Sequence, residues 1–147
     1  MVTMVGMQGD FASALKDLIE LDYDAVEAYE AAINRLDDAE YKDALKTFKA
    51  DHERHISELS DVLREHGETP PKSASVGKQW LTKGKVLLGN MIGDDAILSA
   101  MKSNEVDTNT AYERMSIHDK IWDSARDIIK AGLEDERRHK DWFERNT

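Results

Sequence analysis

The sequence predicts an all-α fold, an antiparallel four-helix bundle made of two helical hairpins joined by a long crossover. Apolar residues recur at helical spacing on both sides of the chain's middle, not in the alternation of strands. The two prolines, Pro70 and Pro71, stand together in Gly67-Glu68-Thr69-Pro70-Pro71-Lys72-Ser73 and interrupt any helix there. The second half also repeats the residue pattern of the first.

The first helix is expected from about Asp10 to Asp37 and the second from about Glu40 to His66. Leu36-Asp37-Asp38-Ala39 would form their turn and Gly67 would stop the second helix. The third is expected from about Asp94 to Ile117 and the fourth from about Asp119 or Lys120 to Asn146, with Asp94 and Asp119 as N-caps. Residues 67–93 are too many for a tight turn and suit a crossover along the bundle. Within it Trp80, Leu81, Val86, Leu87 and Leu88 are expected to pack against the bundle as a short helix. Lys72, Lys78, Lys83 and Lys85 make it the one basic stretch, either a solvated face or a partner-binding patch. All 147 residues are read as one domain, 1–147.

A formal net charge of -10 argues against nucleic acid as a partner, because an acidic surface cannot replace counterions on a phosphate backbone. Without cysteine there is no disulfide, thiolate-zinc or iron–sulfur chemistry. No apolar run approaches the roughly 20 residues of a membrane span. The first seven residues lack a basic signal-peptide start. The expectation is a cytoplasmic protein without membrane contact.

At an offset of 83, Asp22-x-Asp24-x-x-x-Ala28-Tyr29-Glu30 lies over Glu105-x-Asp107-x-x-x-Ala111-Tyr112-Glu113. At an offset of 84, Asp51-His52-Glu53-Arg54-His55 lies over Asp135-Glu136-Arg137-Arg138-His139. Placed on helices, the repeat breaks each apolar stripe at its middle. The first stripe, Leu15, Leu18, Asp22, Tyr29, Ile33 and Leu36, breaks at Asp22. The second, from Tyr41 to Val62, breaks at His52 and His55; the third, from Leu98 to Met115, at Glu105; the fourth, from Trp122 to Phe143, at Glu136 and His139. Counted outward from the hairpin turns, these breaks share one level, since each residue of helix advances the chain by about 1.5 Å.

A lone histidine on an apolar stripe is ordinarily a satisfied core residue, and a single polar break often sets register. Breaks at one height on four helices, bringing three carboxylates and three imidazoles together, call for a cation. The i, i+3 pairs His52/His55 and Glu136/His139 have the spacing by which helices offer ligands to a metal. Oxygen and nitrogen donors without thiolate suit iron first, with manganese or zinc as alternatives. Tyr29 and Tyr112 are either core aromatics or hydrogen-bond donors to a ligand carboxylate on a neighbouring helix. Asp51 and Asp135 are either solvated flank residues or acceptors for the outer N–H of His139 and His55, respectively.

These residues resemble the ferritin-like superfamily, particularly its bacterioferritin and rubrerythrin type, over about Asp10 to Arg145. In that pattern the first and third helices each give a Glu, followed seven residues later by a Tyr in bacterioferritins. The second and fourth give Asp-Glu-x-x-His or a close variant. Asp135-Glu136-Arg137-Arg138-His139, Glu105 and Tyr112 match fully, and the chain looks most similar to a bacterial ferritin-like group of no assigned function. The resemblance implies a di-iron centre with Asp22, His52, His55, Glu105, Glu136 and His139 as ligands. Two ions are expected, or one. The implied chemistry oxidises Fe(II) or reduces oxygen or peroxide, in iron handling or stress defence.

Two departures stand in the first half. Asp22 replaces a Glu and is shorter by one methylene, and His52 replaces the Glu that bridges two metals. Glu136 remains the bridging candidate, and the first-half position is expected to bind weakly or stand vacant. Glu53 occupies the place of the bacterioferritin haem ligand, so no haem is implied, and Thr108 stands where rubrerythrins carry a further carboxylate. Nothing matches the basic tail of mini-ferritins or the short fifth helix of cage ferritins. A monomer or homodimer is expected. The alternative function is a non-catalytic bundle with a structural or vacant metal site, acting through partner contacts.

Overall fold

The computed structural model describes residues 2–75, 77–78 and 80–147; Met1, Val76 and Gln79 lie outside the described residues. Among the described residues the chain is all-helical, with α1 Phe11–Arg35, α2 Ala39–Glu65, α3 Lys85–Gly89, α4 Asp94–Ser116 and α5 Asp123–Asn146. No helix among them is long and apolar enough to cross a membrane.

The start of α1 is set by Asp10, whose Oδ2 accepts from Ser13 N at 2.9 Å, and that of α2 by Asp38, whose Oδ1 accepts from Tyr41 N at 3.0 Å. At the far end of α2, Gly67 has φ 77°, and its N–H reaches Arg64 O at 3.0 Å while Glu68 N reaches Leu63 O at 2.9 Å. These two bonds close a Schellman turn, which needs a left-handed residue at the position Gly67 fills.

Two expected caps are corrected. The α4 cap position belongs to Gly93, and Asp94 is the first residue of the helix. The Asp94 carboxylate instead accepts from Asp37 N at 2.9 Å and Asp38 N at 3.0 Å, tying the α1–α2 turn to the start of α4. Asp119 caps nothing, because α5 begins only at Asp123 with Trp122 in the cap position. His118 occupies the turn, with Nδ1 accepting from Lys120 N at 3.0 Å and Nε2 against Gln8 O at 2.7 Å. Trp122 thereby leaves the helical stripe and stacks on His66 at 3.8 Å.

α1 packs on α2, α4 on α5, α1 on α4 and α2 on α5, and α3 lies along α1. Their shared core includes Leu15, Leu18, Leu45, Phe48, Leu98, Met101, Ile129 and Phe143, all buried. In the crossover Leu81 and Leu88 are buried and Trp80 donates to Glu20 Oε1 at 3.2 Å, whereas Val86 and Leu87 face solvent, contrary to expectation. The five-residue α3 is too short to bury more than one side of itself. Lys78 lies 3.7 Å from Asp17 and Lys85 lies 3.3 Å from Glu27, so these two crossover lysines face acids of α1. Asp107 of α4 holds the crossover and the N-terminal segment together, accepting from Thr82 N at 2.8 Å and Thr3 N at 2.9 Å.

Gly132 of α5 fixes how closely the tyrosine of α4 approaches. A Cβ there would stand 2.5 Å from Tyr112 Cε1 and 3.1 Å from Cδ1. The ring is buried and tethered through its hydroxyl to Asp22, so it cannot swing aside freely. Alanine would otherwise favour the helix by about 1 kcal/mol, but overpacking a core costs about 1–3 kcal/mol. Gly132→Ala is therefore expected to lower the thermal unfolding midpoint, and an unchanged or raised midpoint would contradict the tight seat assigned to Tyr112.

Candidate metal centre

The polar residues that interrupt the four long helices are all buried. Asp22 of α1, His52 of α2, Glu136 and His139 of α5 are 0% exposed, Glu105 of α4 is 1% exposed and His55 of α2 is 4% exposed. One donor atom each from Asp22, His52, His55 and Glu136 lies within 4.8 Å of the others, and the same holds for His52, Glu105, Glu136 and His139. The six residues therefore form two clusters that share His52 and Glu136.

Glu136 stands between them. Its Oε1 lies 3.5 Å from His55 Nδ1 and from His52 Nδ1, and its Oε2 lies 3.4 Å from His139 Nδ1. Glu105 Oε1 lies 3.6 Å from His139 Nδ1, and Asp22 Oδ1 lies 3.6 Å from His55 Nδ1. Both oxygens of Glu136, Nδ1 of His55, Nδ1 of His139 and Nε2 of His52 are buried without a hydrogen-bond partner. Leaving a buried polar group unpaired costs roughly 1–3 kcal/mol, and more for a charged one. Five such atoms converging in one layer form a donor set of the kind that suits a cation. These buried groups could hold a metal ion.

The surroundings fix the donors. Nε2 of His139 meets Asp51 Oδ2 at 2.8 Å, and Nε2 of His55 meets Asp135 Oδ2 at 2.8 Å, so each Nδ1 faces inward. The Tyr29 hydroxyl of α1 donates to Glu105 Oε1 on α4, and the Tyr112 hydroxyl of α4 donates to Asp22 Oδ2 on α1 at 2.7 Å. Thr108 Oγ1 donates to Glu105 Oε2 at 3.0 Å. Phe48 covers His139 at a ring separation of 4.3 Å.

Three residues of this shell escaped sequence reasoning. Asn109 Nδ2 donates to Glu105 O at 2.7 Å and Glu136 O at 3.0 Å, stitching α4 to α5 at the level of the site. Arg54 donates to Asp51 Oδ1 at 3.0 Å and to Asp135, and Arg138 donates to Asp51 Oδ2 at 3.0 Å and Asp135 Oδ1 at 2.9 Å. The arginines had a visible signal, since each follows its aspartate by three residues in both repeats. Asn109 had none, because the first half carries Val26 at the matching position of the repeat.

Burial and charge set the protonation of the layer. Burial pulls His139 down, but Asp51, Glu105 and Glu136 outweigh it and lift it to about 12. Burial likewise pulls His55 down, and Asp22, Glu136 and Asp135 outweigh it, lifting it to about 9. Burial and repulsion from Glu136 push Glu105 up. Burial pushes Glu136 up too, but the histidines around it prevail and hold it well below the usual carboxylate range. Burial and the nearby carboxylates push Tyr29 and Tyr112 well above 10, so both phenols keep the proton they donate. In the ion-free protein, protons on His55 and His139 do the neutralising.

His55 has a folded pKa above its unfolded value near 6.5, so the folded state binds the extra proton between the two. The stability it contributes is complete below about 6.5 and lost as pH rises through about 9. Chelator-treated protein is accordingly expected to show a lower denaturant midpoint at pH 9 than at pH 6.5, and His55→Gln should flatten that slope. A midpoint that rises over this window would contradict the charge assignment.

The fold and geometry can be set beside known proteins. Among solved structures the chain is similar to a conserved hypothetical protein, rv2844, from Mycobacterium tuberculosis, with a TM-score of 0.75 and 16% identity over 95% of this chain and 99% of that one. At that identity the likeness shows the fold alone. No curated protein matches the chain. A family model described as a domain of unknown function, DUF2383, matches residues 10–117, which carry Asp22, His52, His55 and Glu105. That match spans well over half of the sequence, and the chain belongs to the DUF2383 family.

Proposed function

We propose that this chain is a ferritin-like antiparallel four-helix bundle whose buried layer is a transition-metal centre for iron redox chemistry. The observation that carries the reading is the convergence of partnerless donors on His52, His55, Glu136 and His139. The pairwise packing of the four long helices and the crossover along α1 support the bundle. Iron is the first choice of metal on donor chemistry, since carboxylate and imidazole together suit it; manganese and zinc follow.

Glu136, which faces both clusters, would serve two candidate ion positions, with His139 and Glu105 on one side and His55 on the other, where Asp22 stands beside His55. Iron held there supplies one-electron chemistry toward oxygen or peroxide. The protein's own part is to orient and to shield. Asp51 and Asp135 hold the Nε2–H of His139 and His55 so that the Nδ1 lone pairs face the layer. Tyr29 and Tyr112 steady the carboxylates by donating to them, and Phe48 and Phe143 help exclude water. Binding of a cation must displace the protons on His55 and His139, so affinity rises with pH.

A second reading, in which the ion only stabilises the bundle, draws on the direct bond between His52 and Asp22, which takes one donor pair out of play. Anaerobic Fe(II) titration followed by oxygen separates the two. Fe(II) is expected to bind, and oxygen to be consumed as it oxidises. His139→Ala should weaken binding by about 100-fold or more, and Asp51→Ala by about 10–100-fold. Binding without oxygen consumption would favour the structural reading. No iron binding, or binding indifferent to His139→Ala, would sink the proposed iron centre.

A further inference from the structure

Each of the three buried histidines is paired with an aspartate, and one pair is turned round. His139 and His55 give Nε2 to Asp51 and Asp135 and leave Nδ1 without a partner. His52 does the reverse: its Nδ1 lies 2.8 Å from Asp22 Oδ1, and its Nε2 is the buried atom without a partner. A neutral imidazole carries a proton on one nitrogen and a lone pair on the other. Facing the Asp22 carboxylate, Nδ1 takes the proton, and the lone pair falls to Nε2.

Asp22 is otherwise engaged as well. Its Oδ1 accepts from His52 and its Oδ2 from the Tyr112 hydroxyl at 2.7 Å. Glu136, by contrast, has both oxygens free of hydrogen bonds inside the same layer. The two carboxylates thus differ in kind: one aligns a ring, and the other faces the space between rings.

The geometry points to Asp22 as a positioning residue and not a ligand: it sets His52 so that Nε2 joins Glu105, Glu136 and His139 Nδ1 in one four-donor site for a single divalent transition-metal ion. This rests on the metal-centre reading above and makes its two positions unequal. His52 appears in both clusters, yet its one lone pair can serve only one of them. Without it, the cluster around His55 keeps His55 Nδ1 and a share of Glu136 as its partnerless donors, fewer than a tightly bound ion requires. The layer thereby holds one complete set of donors and one incomplete set. The short side chain of Asp22 suits an acceptor set against an imidazole Nδ1.

Zn(II) is the probe, because it is diamagnetic and binds the same donors. The chelator-stripped, nitrogen-15-labelled full chain is titrated by calorimetry and followed by long-range proton–nitrogen correlation spectra of the imidazoles. One tightly bound ion per chain is expected, with His52 protonated at Nδ1 and metallated at Nε2, opposite to His139. Asp22→Asn keeps an acceptor for His52 Nδ1–H and should retain one ion with affinity within about 10-fold. Asp22→Ala should lose about 10–100-fold, with the same two imidazole nitrogens, His52 Nε2 and His139 Nδ1, still metallated. Metallation of His52 through Nδ1, or two ions of equal affinity with one lost in Asp22→Asn, would overturn the proposal and leave the metal centre standing. No Zn(II) binding by the unmodified chain would overturn both.

Discussion

Glu136 is fully buried at the centre of the helices, and neither of its oxygens has a hydrogen-bond donor. An ionised carboxylate in that position costs several kcal/mol unless positive charge stands beside it. The imidazoles of His55 and His139 stand 3.5 and 3.4 Å from it and supply that charge when protonated. A divalent ion would do so with fewer groups. The remaining arrangement follows from this need, because each imidazole must point one nitrogen inward and therefore needs an acceptor for the other. Asp51, Asp135 and Asp22 are those acceptors.

The frame around the layer is stiff for the same reason. Tyr29 and Tyr112 exchange hydrogen bonds between α1 and α4, each donating to a carboxylate of the other helix. Asn109 fastens α4 to α5 through the carbonyls of Glu105 and Glu136. Such contacts hold the side chains of the layer in a few rotamers, which is how a protein fixes the geometry of a polar site in advance.

Much of this was legible in the sequence, and the rest was hidden for definable reasons. The level shared by Asp22, His52, His55, Glu105, Glu136 and His139 follows from helical rise and the positions of the two turns, which the apolar stripes mark. The facing of Asp51 to His139 and of Asp135 to His55 is suggested by the repeat. What spacing cannot give is the rotation of a ring about its own bonds, so the reversed orientation of His52 was invisible. The start of α5 was misplaced because Asp119 is a good cap residue in the abstract, whereas His118 takes the turn through its bond to Gln8. Asp107 was counted only as a repeat match, and its bonds to Thr3 and Thr82 depend on where a distant crossover settles.

Arg54 and Arg138 each touch both Asp51 and Asp135, so the four groups close into a ring across α2 and α5. Each aspartate has two guanidinium partners and each guanidinium two carboxylates. The ring is therefore redundant. Loss of either arginine still leaves both aspartates with one cationic neighbour, while loss of both would leave them to their histidines alone. Contacts organised in this way are non-additive, and the worth of the pair exceeds what either member reveals by itself. The two halves of the layer, unlike in their donors, are bound to a common electrostatic fate along the seam between α2 and α5.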